Sequence, residues 1–433
     1  MQIIQDIFNK IIAEQFTPEK MAVKVIENCL EKKGIKLTKE QIEKLKNELI
    51  KNGINNLSIS IDDSQVPAEH FQGKEKSSNI SIDISGAEVD IEKLAKQFID
   101  KISDDIPAMV SEVGEIITYT LHKNSKKMLK NRRSDIQKYE SAIFNKWEKA
   151  IDLLETTLVI ATEIGEDFNK ELREKPIPDR GYMIEVMTRL HARACQVASE
   201  ILTLLKSGYA DGAHARWRCL YEIVVVLHFI GSFGEETARK YILHQGIESY
   251  KAALLYQDNC ERLGYEPMTD EEIDKLKDNR EKLIIQFGKN YSGDYGWATI
   301  ETGVKQPTFR DIEKKIEMAH MRPFYKMASH NVHANPKGVL FKLGLLPIEP
   351  EILLAGPSII GLDEPGQGTA ISILQATTAL LAIEANIDRL VSCDILKRFS
   401  KETMNAFVKV QETINDEIKL TEPKKRELKK NKD

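Results

Sequence analysis

Cysteine is scarce in this sequence, and its spacing argues against two common ways of stabilising a fold. The five cysteines are odd in number, widely scattered and form no CxxC pair. Zinc ribbons need paired cysteines at short spacing, and disulfide frameworks need an even set. We therefore expect neither a zinc ribbon nor a disulfide framework.

Long apolar runs are missing as well. No stretch reaches the roughly 18 uncharged apolar residues that a membrane span requires. The first residues, MQIIQDIFNKIIAEQF, lack a basic start followed by an apolar run. No signal peptide is therefore expected. Together these absences predict a cytoplasmic protein with no membrane partner.

Common nucleotide-binding and hydrolase motifs are absent. The chain has no GxGxxG after a predicted strand, no GxxxxGKS or GxxxxGKT, and no GxSxG. The Gly-rich GLDEPGQG is interpreted as an irregular connection, because nothing around it predicts a strand-to-helix phosphate loop. The net charge is only −5, with 62 basic and 67 acidic residues. Any nucleic-acid interface must therefore come from a local patch.

What is present is mostly helical periodicity, and 433 residues suggest more than one domain. We predict a mostly α protein with an N-terminal helical region (1–135), an α-helical bundle (136–400), and a C-terminal helix with a basic tail (401–433). LSISIDDS (57–64) and NISIDISG (79–86) alternate apolar and polar residues, which predicts one short β-hairpin. Two such strands are not stable alone. The N-terminal region is therefore predicted to mediate self-association or partner docking.

The chain is organised around residues 207–231, SGYADGAHARWRCLYEIVVVLHFIG. The second half of this stretch is almost entirely apolar, which is typical of a helix in a domain core. Asp211, His214, Arg218 and Glu222 follow one another at intervals of three, four and four, so they share one helix face. Unpaired buried charges are costly. This face therefore carries either a structural ion network, with Arg218 held by Glu222, or a functional site.

A second polar stretch is MRPFYKMASHNVHANPKG (321–338). Arg322, Ser329 and His333 share a helix face, and His330 sits beside Ser329. Imidazoles, a hydroxyl and a guanidinium together are suited to metal-free acid–base chemistry on a phosphodiester. His333 precedes a Pro–Gly break, where a helix end would project it into a cleft. The plainer interpretation is a histidine that caps the helix or satisfies a core hydrogen bond.

A metal site is the alternative for the same histidines. His330 and His333 stand at i and i+3, and Glu222 and His244 supply further ligand types. The ExxH pairing of di-iron bundles is absent. We therefore predict no metal and no cofactor.

One local patch is strongly basic. Residues 123–133 hold six basic residues in eleven, on a chain of negative net charge. They are Lys123, Lys126, Lys127, Lys130, Arg132 and Arg133. The stretch is either a solvated helix at a domain junction or a stripe that contacts RNA phosphate.

Several motifs resemble a bacterial family of unknown function, number 5677. They are DGAHARWRCLYE, YILH, DYGWA, YKMASHNVHA and LLAGPS, which occur in this order between about residues 140 and 395. The pattern of an arginine helix and a late histidine is similar to the HEPN-like superfamily, small helical domains that include metal-independent ribonucleases of toxin–antitoxin and phage-defence systems. The HEPN signature is Arg, four to six residues, then His. Here the matching positions before His333 hold Lys326, Met327 and Ala328, so Arg218 would have to supply the guanidinium from a neighbouring helix.

The resemblance implies a metal-independent HEPN-like ribonuclease or toxin-type effector, which we expect to be a homo-oligomer. Its candidate catalytic residues are His333, His330, Ser329, Arg218, Arg216, Glu222 and Tyr325. In it His333 would be the acid or base, and Arg218 or Arg216 the phosphate clamp. The alternatives are a non-catalytic regulatory or scaffold protein whose polar core fixes helix register, and a metal-dependent hydrolase. Convergence of these side chains on an open cleft favours an enzyme, whereas side chains that are mutually saturated and sealed from solvent favour the scaffold.

Overall fold

The computed structural model describes residues 18–31, 35–52, 59–60, 79–80, 87–175, 177–345 and 353–430. The chain divides into two units, Met1–Lys130 and Asn131–Asp433. The described chain is mostly helical, which confirms the predicted mostly α class. Within it, no helix carries an apolar stretch long enough to cross a bilayer.

The first unit contains two short helices, α1 (Pro18–Glu31) and α2 (Lys39–Asn52). Their apolar faces form a small core of six buried side chains: Val23, Ile26, Leu30, Ile35, Leu45 and Leu49. At the start of α2 the side chains and backbone amides of Thr38 and Gln41 bond reciprocally, at 2.8 and 3.3 Å. This arrangement satisfies two amides that a helix start leaves without an intrahelical partner.

Two very short strands follow in the same unit. β1 (Ile59–Ser60) and β2 (Asn79–Ile80) pair antiparallel, with Ile59 opposite Ile80. The rest of both predicted strands lies outside the described residues. The hairpin over 57–86 therefore stays a prediction.

The remaining helices, in chain order, run as follows: α3 (Ala87–Glu174), α4 (Gly181–Lys206), α5 (Ala210–Phe233), α6 (Glu235–Leu243), α7 (Gln245–Gln257), α8 (Cys260–Leu263), α9 (Asp270–Phe287), α10 (Thr299–Thr302), α11 (Phe309–Lys315), α12 (Arg322–Val332), α13 (Pro336–Leu340), α14 (Asp363–Leu381) and α15 (Ile387–Lys430). The predicted boundary at 135/136 falls inside α3, and that at 400/401 falls inside α15. The proposed division into three parts stays a prediction.

Helix α5 is the centre of the second unit. It packs against α4, α14 and α12, and α14 also packs against α4 and α15. The α5 side chains in this core include Trp217, Leu220, Tyr221, Val224 and Leu227, each at most 2% exposed. An almost wholly apolar helix is stable only with protein on most sides. The sequence therefore identified the central element correctly.

Helix α5 begins at Ala210, whereas the predicted central stretch begins at residue 207. Helix α4 ends at Lys206, and Gly208 follows with φ of +78°. A Cβ at Gly208 would lie 2.8 Å from the carbonyl oxygen of Ser358, so the close approach and the backbone conformation both need glycine. This turn delays the helix to Ala210 and orients its polar face.

The apolar stretch 369–397 is divided between two helices, α14 and α15. Asn386 ends the break between them by accepting a hydrogen bond from the Arg389 amide at 2.9 Å. The Arg389 guanidinium is 2.9 Å from carboxylates of both Glu384 and Glu171, and it lies over the Phe168 ring. These contacts hold the chain in a corner that hydrophobic periodicity alone does not reveal.

Candidate functional site

The polar face of α5 meets different structures at each turn. At its start, Asp211 accepts a hydrogen bond of 2.9 Å from the backbone amide of Leu343. One turn on, His214 lines a cavity. Arg218 and Glu222 then face α12. The face is therefore a series of distinct contacts rather than one continuous ion network.

Arg218, Glu222 and Tyr325 form the tightest polar cluster on this face. The Tyr325 hydroxyl donates to Glu222 Oε1 at 2.7 Å and accepts from Arg218 Nη2 at 2.9 Å. The same Arg218 nitrogen is 3.1 Å from Glu222 Oε1, and the guanidinium lies over the Tyr325 ring, 4.9 Å from its centroid. The predicted Arg218–Glu222 pair is confirmed, with a phenol from α12 as its third member.

This cluster is partly open to solvent, although its three side chains bond to one another. The Arg218 side chain is 23% exposed and that of Glu222 is 35% exposed. Burial and the hydrogen bond to Glu222 raise the pKa of Tyr325 to about 12 against the opposing effect of Arg218. The phenol is therefore protonated at neutral pH, so it donates to Glu222 instead of acting as a base.

A second, deeper pair lies beside the first. Glu313 on α11 is fully buried, forms an ion pair with Arg322, and accepts a hydrogen bond of 3.1 Å from Tyr221. Burial, with the Glu313 charge, raises the pKa of Tyr221. The Arg322 guanidinium is also 5.8 Å from the centroid of the Tyr325 ring. Arg322 is thus bound to a buried carboxylate.

The other predicted catalytic residues do not join this cluster. Ser329 donates to the Tyr325 carbonyl at 2.7 Å, and His330 Nδ1 accepts from Asn335 at 3.1 Å. Arg216 forms an ion pair with Glu200. His333 ends α12 with an exposed side chain. Among the described residues its ring has no polar partner.

The histidines and acids of the metal alternative are also apart. Within the described part of the chain, no group of three or more His, Cys, Asp or Glu side chains is arranged to hold a metal ion. His244 Nε2 instead donates to the carbonyls of Tyr291 (3.1 Å) and Gly293 (2.9 Å). Burial lowers the His244 pKa despite these bonds. This contact ties the YILH motif to the DYGWA loop.

The six predicted RNA-contacting residues, Lys123, Lys126, Lys127, Lys130, Arg132 and Arg133, lie on α3. All six are exposed. Exposed basic residues at helical spacing are compatible with either a solvated surface or a phosphate-binding stripe.

The motifs that build these contacts are concentrated between α4 and the loop after α13. Residues 184–345 match the model of the Family of unknown function (DUF5677). This match confirms the resemblance for that segment. No curated protein and no solved structure matches the chain.

The DUF5677 segment contains both polar clusters, including Glu313, which the sequence-based set omitted. Glu313 follows the buried Ile312 in the short helix α11, and nothing in FRDIEKK distinguishes it from the other acid, Asp311. Its importance comes from Tyr221 and Arg322, 92 and 9 residues away along the chain. Only the folded chain brings these three together.

A cavity outside the predicted set lies between α3 and α4. It measures about 350 Å³, and its lining includes Thr188, His191 and Cys195. His191 Nε2 bonds to the Thr377 hydroxyl at 2.9 Å, and burial lowers the His191 pKa to about 4. Burial also raises the Cys195 pKa to about 11. A protonated thiol beside a neutral imidazole is not an activated nucleophile.

Proposed function

We propose that this protein is a non-catalytic regulatory or scaffold protein whose polar core holds α5 and α12 in one register. The observation that carries the proposal is the mutual bonding of Arg218, Glu222 and Tyr325 across α5 and α12. Catalytic side chains also bond one another, but one of them must act on a reacting atom. Here the protonated Tyr325 phenol donates to Glu222, whose carboxylate also pairs with Arg218. Arg216 and Arg322 are likewise committed to Glu200 and Glu313.

A scaffold protein needs a surface for its partner, and α15 offers one. Ile387, Leu390, Val391 and Ile395 are 79%, 62%, 52% and 41% exposed. Their spacing of three, four and eight residues places them on one side of the helix. Clustered exposed apolar residues are typical of protein–protein contacts. We assign this stripe to a second copy of the chain, as a cytoplasmic homo-oligomer, because two-fold homodimers are the commonest assembly.

Light scattering after size exclusion tests this function. The wild-type chain should have the mass of a dimer, and the double variant Leu390→Glu, Val391→Glu should have that of a monomer. Ile285→Glu is the matched control, because Ile285 is 85% exposed and lies on α9. A monomeric wild-type protein, or a dimeric double variant, would contradict the assignment.

The second candidate is a metal-independent HEPN-like ribonuclease or toxin-type effector of phage defence. The exposed His333 ring at the end of α12 favours it, because an acid–base group must reach its substrate. The basic residues of α3 would then contact RNA. A metal-dependent hydrolase has no supporting observation in the described residues.

Toxicity on expression decides between the two candidates. The ribonuclease predicts that His333→Ala abolishes toxicity and RNA cleavage while the melting temperature is unchanged. His320→Ala is the control, since His320 is also exposed and stands two residues before α12. A folded His333→Ala protein as toxic as wild type would end the ribonuclease candidate.

A further inference from the structure

A second cavity lies where α5, α14 and the start of α12 meet. It measures about 190 Å³. Sites for drug-sized ligands usually measure roughly 300–1,000 Å³. This cavity therefore fits one small ring system. His214 and Trp217 line it from α5, Phe324 from α12, and Glu364, Gln367 and Gly368 from α14.

Two residues that line this cavity each have a buried polar atom without a hydrogen-bond partner among the described residues. The atoms are His214 Nδ1 and Glu364 Oε2. His214 is only 2% exposed. A buried polar group without a hydrogen bond costs about 1–3 kcal/mol. His214 and Glu364 both line this one cavity, and a ligand held there would account for their unsatisfied atoms.

The groups around the cavity disfavour an anionic ligand. Burial lowers the His214 pKa to about 4, so the imidazole is uncharged at neutral pH. Burial, with nearby Asp363, raises the Glu364 pKa. Among the described residues that line the cavity, none is lysine or arginine. An anion such as phosphate would therefore find no counter-charge.

The cavity walls are aromatic and rigidly placed. The Trp217 indole donates to the Ser372 hydroxyl at 3.1 Å, and the His214 ring stacks on it with a 24° interplanar angle. A Cβ at Gly368 would lie 2.7 Å from Trp217 Nε1, so only glycine permits this close packing. Phe324 is 44% exposed. These rings form a narrow site suited to a flat molecule.

We infer that this cavity binds a small, uncharged, planar nitrogen heterocycle of the nucleobase class. The Gln367 amide offers a donor and an acceptor, and the Glu364 carboxyl offers acceptor oxygens, which together match the N–H groups and ring nitrogen of such a heterocycle. His214 Nδ1 supplies a further hydrogen bond. Phe324 covers the bound ring. This binding site is additional to the scaffold function proposed above and does not depend on it.

Isothermal titration calorimetry on the full chain tests the site with adenine and cytosine as probes and indole as the comparison. Indole has a similar flat shape but no ring-nitrogen acceptor. At least one nucleobase should bind, and indole should bind at least tenfold more weakly. Absence of heat with both nucleobases at millimolar concentration, or equal binding of indole, would overturn the inference.

The variant Glu364→Leu separates binding from folding. It removes an unpartnered buried carboxyl, so the melting temperature should stay the same or rise while nucleobase binding weakens at least tenfold. Glu412→Leu is the control, because Glu412 is exposed on α15. His214→Phe, which keeps the stack on Trp217, should weaken binding similarly. If Glu364→Leu binds as wild type does, the cavity is not the binding site.

Discussion

The hydroxyl of Tyr325 donates to Glu222 at 2.7 Å and accepts from Arg218 at 2.9 Å. One phenol on α12 thereby contacts both members of an i,i+4 ion pair on α5. An α-helix displaced by one residue relative to its neighbour would lose both bonds, because they depend on the position of a single oxygen. Tyr325 thus specifies how α5 and α12 align.

Removing that hydroxyl should weaken the fold moderately. We expect Tyr325→Phe to lower the free energy of unfolding by about 1–2 kcal/mol, since partial exposure reduces the value of charged hydrogen bonds. Urea denaturation measures the change. Tyr265→Phe is the control, because Tyr265 is 62% exposed and its change should stay within about 0.5 kcal/mol. Equal costs for the two variants would rule out the proposed role of Tyr325.

The Glu313–Arg322 pair should matter more, because Glu313 is fully buried. Arg322→Met leaves that carboxylate without its cation and should cost about 3–5 kcal/mol. The double variant Arg322→Met, Glu313→Leu should recover much of the loss, because no buried charge remains. Arg398→Met is the control, since its ion pair with Asp394 is exposed and worth at most about 1 kcal/mol. A double variant less stable than Arg322→Met would contradict this account.

Stability should fall as the pH drops below about 6.5. Burial lowers the pKa of both His191 and His214 from 6.5 to about 4. Between these values the unfolded chain binds protons that the folded chain does not. Each histidine therefore removes about 1.4 kcal/mol of stability per pH unit as the pH falls from about 6.5 to about 4, and has little effect above 6.5.

Urea denaturation between pH 4.5 and 7.5 measures this dependence. His191→Gln retains a group able to bond to Thr377 and should reduce the slope by about one histidine's contribution. His333→Gln, which changes an exposed side chain, is the control. A slope that His191→Gln does not alter would show that His191 is protonated in the folded protein.

If the protein binds RNA, the salt dependence of its RNA affinity should depend on the basic residues of α3. Replacing Lys126, Lys127 and Lys130 with alanine should reduce the slope of log K against log salt by about 2, since each phosphate contact contributes roughly 0.7 on a single strand. Lys275, Lys277 and Lys282, exposed on α9, provide the matched triple control. An unchanged slope in the α3 variant would exclude this stripe as the RNA contact.

Much of the second unit was predictable because the signals are local. The apolar pattern of 219–230 identified α5 as a core helix, and the i,i+4 spacing placed Arg218 beside Glu222. Helical spacing is set by the backbone alone, so such pairs follow directly from the sequence. The motifs YILH and DYGWA were likewise visible, although their contact through His244 was not.

The predicted start of α5, residue 207, was wrong because it depends on a distant part of the chain. Gly208 ends α4 because its space is limited by Ser358, 150 residues later. The corner between α14 and α15 was not predictable for the same reason, since it depends on Glu171 and Phe168 of α3. Periodicity carries no information about such distant neighbours.

The sequence by itself determined the helical class, the central helix and its polar face. The tertiary structure decided which partner each polar residue meets. Asp211 accepts from the Leu343 amide, and His214 lines a cavity with Glu364. Arg218 and Glu222 both bond to Tyr325, and Arg322 pairs with Glu313. Spacing along a helix selects which side chains share a face. Helix packing, which depends on the whole core, selects the partners they meet.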